Sequence, residues 1–215
     1  MLIAIPFCHE IPEFMAAIKK IPYDQLYASY MPEHVAYFNI RESFLNMPEY
    51  THLAICPDDM IPTYEGIEKL VNNILAYNMA VHSGTCNVDS ADLKDSLNIC
   101  YRIPADEHAP YDFIRTDSLA DEPDLIRVEY SGFPFMILHR SIVRLLTFRP
   151  NYKRKATDYI LCRELMIMKT PIIADHSVRF HHMRYAGTNF VGIKLERLQM
   201  VLKENKSMEL DLNGI

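Results

Sequence analysis

No two of the five cysteines in this chain stand at CxxC spacing. Cys8, Cys56, Cys86, Cys100 and Cys162 are scattered and odd in number. That argues against a disulfide framework or a four-cysteine zinc site, and for a reducing compartment. Basic charge is also short: 22 Lys and Arg stand against 28 Asp and Glu, a formal charge of −6. A general nucleic-acid binder carries a basic face, so nucleic acid is not an expected partner, although a local site can still hold an anion. No window approaches the roughly 20 apolar residues that cross a bilayer. The opening MLIAIPFCHE has no basic start and no small-residue cleavage site, and reads as a strand rather than a signal peptide. No internal repeat or low-complexity tract is present. What is abundant is apolar surface: 49 % of the 215 residues are hydrophobic, enough to bury a core and to exclude wholesale disorder. The expectation is one cytoplasmic domain of moderate size, compatible with peripheral contact at a membrane.

The pattern of the first 85 residues alternates strand and helix. Strands are predicted at 2–5, 25–30, 52–56 and 79–84, and helices at 10–20, 33–46 and 63–78. The last helix has the clearest amphipathic stripe, with Ile67, Leu70, Val71, Ile74 and Leu75 on one face and Thr63 placed to cap it. Such alternation predicts an α/β fold with a parallel sheet covered by helices, whose ligands sit at the carboxyl ends of the strands. Residues 85–127 are polar and interrupted by prolines, and predict short strands near 98–103 and 126–130 joined by a long surface loop. A strand running into a helix is predicted at 133–146, a helix at 157–169, a strand at 171–175, an extended piece at 178–184 and a loosely helical tail from Ala186.

Four features carry chemistry. The run HLAICPDDMIPTYEG starts as a buried strand and delivers Asp58 and Asp59 to one point. Adjacent carboxylates repel unless a positive charge lies beside them. Mg²⁺ or Mn²⁺ fits, being oxygen-seeking and often shared with substrate phosphates; a simple turn before the helix explains the same residues. His181 and His182 are neighbours in an extended segment, so only one can face such a site; a surface pair is the plainer account. Asp158 heads the apolar stripe of its helix, where the helix dipole favours its ionised form, or where it merely stabilises the first turn. Arg41 interrupts the stripe of Phe38 and Leu45, and either reaches the surface or points at a nucleotide.

The order of these pieces resembles the nucleotide-sugar-dependent glycosyltransferases of GT-A fold, especially the small inverting enzymes of the family-2-like group. Four blocks over about residues 1–185 carry the likeness: IAIPFCHE; the run from AYFNIRESFLN through CPDDM to AVHSGT; SGFPFMILHRSIVRLL; and ATDYILCRELMIMKTPIIADHSVRFHH. The resemblance implies a Rossmann-like α/β fold, a mostly parallel central sheet flanked by helices, with a smaller antiparallel portion on the acceptor side. It implies a single domain over 1–215, with a nucleotide-sugar half at 1–100, an acceptor half at 101–185 and a tail at 186–215. Metal-binding roles fall on Asp58, Asp59 and His182, or His181 if the register slips. The catalytic base falls on Asp158, and nucleotide contacts fall on Pro6, Phe7, Arg41 and Asp58. The implied cofactor is Mn²⁺ or Mg²⁺, the donor a UDP- or GDP-sugar, and the acceptor a glycan, lipid or protein. There are departures. The acidic motif reads Cys-Pro-Asp-Asp, not Asp-x-Asp. Thr157 stands where relatives often carry an acid, glycine is scarce, and tryptophan, which often lines acceptor sites, is absent.

The chemistry implied is transfer of a sugar to an acceptor hydroxyl, with a cation offsetting the charge of the departing diphosphate and Asp158 taking the hydroxyl proton. Alternatives on the same fold are a retaining transferase, a nucleotidyltransferase, or a non-catalytic nucleotide- or sugar-binding protein.

Overall fold

The computed structural model describes residues 1–7, 11–29, 31–88, 91–93, 95–106, 108–148 and 156–183. Cys8 and the tail from Ala186 lie outside the described residues. The chain folds as β1 (Leu2–Phe7), α1 (Pro12–Ile18), β2 (Asp24–Ser29), α2 (Glu33–Leu45), β3 (His52–Ile55), β4 (Met60–Ile61), α3 (Tyr64–Ala76) and β5 (Val81–Thr85). There follow β6 (Ile99–Cys100), β7 (Leu125–Val128), β8 (Tyr130–Ser131), β9 (Met136–His139), α4 (Arg140–Val143), α5 (Thr157–Ile167), β10 (Ile172–Arg179) and β11 (His181–His182).

Seven strands form one sheet in the order β2-β1-β3-β9-β5-β10-β7. Strands β1, β2, β3, β5 and β10 run one way, and β9 and β7 run against them. The sheet is therefore mostly parallel, with helices on its faces and two small antiparallel pairs, β11-β4 and β6-β8, beside it. This is the expected Rossmann-like α/β architecture. Strands from before and after residue 100 interleave, since β9 lies between β3 and β5.

The strands are apolar on both faces because helices cover both. On one face Leu2, Ala4, Leu53 and Ile55 pack with α2, α5 and the segments around β6 and β8. On the other, Ile3, Ile5 and Ala54 pack with α1 and α3. Helix α3 begins as predicted: Thr63 accepts the Gly66 N–H at 3.2 Å. Its Ile67, Leu70 and Ile74 are buried, each side chain worth roughly 1.5–3 kcal/mol. Leu75 was expected on that stripe but is 62 % exposed, one residue too far round the helix. The polar stretch before β7 is not simply a surface loop: Ile103, Ile114 and Leu119 are buried in the core.

Strand β10 is longer than expected and contains a wide bulge. Its register with β5 jumps from Ala174 opposite Ser83 to Arg179 opposite Thr85. The buried Asp175 carboxylate holds the extra loop of chain. It accepts from the Ser177 backbone N–H at 3.0 Å, the Ser177 hydroxyl at 2.6 Å and the Asn73 amide at 2.9 Å, with Lys69 at 3.5 Å. Beyond the bulge the Phe180 N–H donates to the Thr85 carbonyl at 2.8 Å. The Phe180 ring lies against Gly84, where a Cβ would stand 2.5 Å from a ring carbon. Only a glycine lets the two meet.

Candidate active site

Strands β1 and β3 lie side by side, and β1 continues through α1 to β2 on its other side. Their carboxyl ends therefore form a point where the chain winds in opposite directions, the crevice in which open α/β sheets hold ligands. Pro6 and Phe7 end β1 there, opposite Ala28 and Ser29 of β2. Asp58 and Asp59 follow β3 at the same level. They occupy the two central positions of a turn closed by the Met60 N–H on the Pro57 carbonyl at 3.1 Å. So the acids do form a turn, and that turn delivers them to the crevice. Asp58 is buried and Asp59 half-buried.

The late histidines reach the same turn. Strand β4, which sequence reading missed because it is two residues long, pairs antiparallel with β11: His181 opposite Ile61, His182 opposite Met60. The Met183 N–H donates to the Asp59 carbonyl at 2.8 Å. Of the two imidazoles, His181 is exposed and His182 turns inward. Its Nε2 stands 3.3 Å from Asp59 Oδ2. Cys56 lies beneath, its thiol pushed up by burial and by Asp59 and Asp58.

Asp158 enters from the other half of the chain, at the start of α5. Its Oδ2 accepts the Tyr130 hydroxyl at 2.7 Å and its Oδ1 the Tyr159 N–H at 2.6 Å. Burial pushes its pKa above the ordinary aspartate value; the two hydrogen bonds pull the other way, and Glu33 adds to the rise.

Tyr37 of α2 links the two sets of acids. It is 3 % exposed, and its ring lies 5.7 Å from that of Phe133. Its hydroxyl is pushed well above the usual range by burial first, then by Glu33, Asp158, Asp59 and Asp58. Glu33 of α2, Asp158 of α5 and the two turn acids after β3 thus all add to the upward push that burial gives this phenol. Phe133 itself adopts φ 55°, a conformation rare for a bulky residue and concentrated at functional sites. Glu33, Tyr37 and Tyr130 are members of this site that the sequence did not disclose. Nothing in their local pattern distinguishes them from ordinary helix and strand residues.

Arg41, expected as a nucleotide contact, is turned toward the backbone at the end of α4. Its Nε donates to the Val143 carbonyl at 3.2 Å and its Nη2 to the Arg144 carbonyl at 3.0 Å; Nη1 contacts Glu42. These carbonyls end α4, which follows β9 at the amino end of β3, where His52 is opposite His139. Helix α2 starts near the crevice and runs away from it, so two turns separate Glu33 from Arg41. The guanidinium meets helix-end carbonyls that need donors.

Among the described residues no three histidine, cysteine or acidic side chains form a group that could hold a metal ion. The pair Asp59 and His182 does fit part of a coordination sphere. Neighbouring ligands of a Mg²⁺-sized ion with bonds of about 2.1 Å stand roughly 3 Å apart, and such ions take few protein ligands when phosphate oxygens supply the rest. A pocket of about 280 Å³ lies elsewhere, lined by Arg127, Leu165, Met166, Lys169, Thr170 and Ile172. It sits at the amino end of β10 and touches none of these groups.

No family model matches this chain, and no curated protein matches it. Solved structures do. The crystal structure of A197 from STIV aligns with a TM-score of 0.62 and 17 % identity, covering 86 % of this chain and 85 % of that one. The structure of CMP:2-keto-3-deoxy-manno-octonic acid synthetase complexed with CTP aligns with a TM-score of 0.46 and 10 % identity, covering 95 % and 98 %. The first likeness is one of fold alone, and the second is too slight to argue from.

Proposed function

We propose that this chain is a cation-dependent glycosyltransferase that moves a sugar from a nucleotide-diphosphate donor to an acceptor hydroxyl with inversion, Asp158 acting as base. One observation supports the reading: Asp58 and Asp59 share one turn at the carboxyl end of β3, and His182 Nε2 stands 3.3 Å from Asp59 Oδ2. Acids so gathered call for a positive partner.

In this reading Pro6 and Phe7 flank the nucleotide. Asp59 and His182, with Asp58 beside them, would hold Mn²⁺ or Mg²⁺, which would supply positive charge to offset that of the departing diphosphate. In the transfer the acceptor oxygen bonds to the anomeric carbon. The bond from that carbon to the diphosphate oxygen breaks, its electron pair leaving with the nucleotide diphosphate. The hydroxyl proton passes to Asp158. An aspartate is a weak base at neutral pH, and its partial burial raises that basicity.

The test is thermal stabilisation of the protein by a panel of nucleoside diphosphates with and without Mn²⁺, repeated on Asp58→Ala and Asp59→Ala. Stabilisation that needs Mn²⁺ and is lost in a variant supports the reading and names the base. Stabilisation indifferent to Mn²⁺ and to both substitutions refutes it. Release of nucleoside diphosphate, rather than pyrophosphate, separates sugar transfer from nucleotidyl transfer.

A further inference from the structure

We propose that Tyr130 is a positioning residue for Asp158, its hydroxyl fixing the rotation of the carboxylate so that the unused lone pairs face an acceptor hydroxyl. The inference rests on Asp158 being the base. The two hydrogen bonds to Asp158 go to different oxygens: Tyr130 to Oδ2 at 2.7 Å and the Tyr159 N–H to Oδ1 at 2.6 Å. With both in place the carboxylate has one orientation. Without Tyr130 only backbone N–H groups hold it, and it can swing about its bond to Cβ.

Tyr130 is itself rigidly held. It lies on β8, paired with Cys100 of β6, and is 5 % exposed. Its ring packs against Tyr111 at 4.8 Å and Phe113 at 6.3 Å. One residue on, the Ser131 backbone N–H and carbonyl each lie 3.5 Å from Cys162 Sγ. Cys162 is one helical turn beyond Asp158 on α5, so strand and helix are joined a second time beside the Tyr130–Asp158 bond. A hydroxyl donated to a carboxylate also favours its charged form, the form a base needs. Around Asp158, Tyr130 acts from β8, Glu33 and Tyr37 from α2, and Cys162 from its own helix. Tyr130 alone among these side chains donates a hydrogen bond to it. Burial and Glu33 oppose the charged form, so Tyr130 is the side chain that offsets them.

The test is titration of the Asp158 carboxyl by carbon-detected NMR on the full chain labelled at aspartate, the resonance being assigned by its loss in Asp158→Asn. Tyr130→Phe keeps the ring and removes only the hydroxyl. It is expected to titrate at higher pH than the unsubstituted chain. The acid limb of the transfer rate should follow, with kcat lower by about tenfold and the donor KM unchanged. Phe113→Leu disturbs the same aromatic cluster without touching the hydrogen bond, and should leave the titration in place. An unmoved titration in Tyr130→Phe, or an equal shift in Phe113→Leu, overturns the inference even if Asp158→Asn abolishes transfer. Transfer that survives Asp158→Asn removes the base itself, whatever the titration shows.

Discussion

His182 Nε2 stands 3.3 Å from Asp59 Oδ2, although 123 positions separate them in the chain. The contact depends on two local devices. The turn after β3 fixes Asp59, and the β10 bulge with Phe180 sets the register that aims His182 at it. Both residues are partly exposed, so the pair contributes little to stability, within about 1 kcal/mol. Asp59→Asn and His182→Gln are therefore expected to unfold near the unsubstituted midpoint in urea, while losing the added stabilisation that Mn²⁺ with a nucleoside diphosphate gives. Loss of folding in step with loss of binding would make the pair structural instead.

Asp158→Asn keeps the shape of the side chain and removes its basicity. Transfer should fall by about 10²–10⁴-fold, while nucleoside diphosphate with Mn²⁺ stabilises the variant as before. Steady-state kinetics beside thermal shift separate the two effects. A variant that turns over normally would assign the base elsewhere.

Far from the crevice, the rings of His52 and His139 meet edge to face at 5.0 Å. Burial, then the neighbouring imidazole, pushes His52 down to about 4. The folded value lies below the ordinary one of about 6.5, so folding favours the neutral ring. The stabilisation is complete above pH 6.5 and is lost as pH falls toward 4. His82, buried on β5 with Nδ1 2.8 Å from the Ile173 carbonyl, is displaced in the same direction by burial. His52→Gln should therefore flatten the fall of melting temperature between pH 6.5 and 4. Equal slopes with and without His52 would exclude it as a source of acid lability.

Gly84→Ala would drive a methyl group into the Phe180 ring, 2.5 Å from its nearest carbon. The expected cost is about 1–3 kcal/mol by chemical denaturation. Because Phe180 precedes the histidine pair, the variant should also weaken Mn²⁺-dependent nucleotide binding. Unchanged stability would mean that the ring moves aside freely.

Asp175→Ala leaves the Ser177 and Asn73 donors without their common acceptor, and leaves Lys69 with Asp124 and the Ser177 hydroxyl. Leaving these donors without an acceptor costs about 1–3 kcal/mol. Urea unfolding measures it. A loss under 1 kcal/mol would show that the bulge is held by its packing.

The strands and helices were legible because their signals are local. The 2–5 run, the stripe of α3 and its Thr63 cap, and the acidic head of α5 need only neighbouring residues for their effect. The partners of Arg41 were not legible for the same reason. Its place in an apolar stripe shows that the guanidinium is partly covered, but not which end of the helix faces the ligand crevice. That depends on the direction of α2 across the sheet and on the α4 carbonyls that meet it. Leu75 fits the helical period and still faces solvent, because the sheet covers a narrower arc than the stripe. The β4–β11 pair escaped notice because a two-residue strand has no periodicity; its partner alone makes it a strand.

What the sequence determined by itself was the alternation of elements, and hence an α/β sheet with Asp58 and Asp59 at a strand end. Short-range spacing and propensity suffice for that. The tertiary structure alone decided that His182 rather than His181 turns to Asp59, that Tyr37 lies among the acids of both halves, and that Asp158 is held by Tyr130. The first depends on register between strands distant in the chain, where a shift of one residue turns every side chain to the opposite face; the other two depend on how α2 and α5 pack on the sheet.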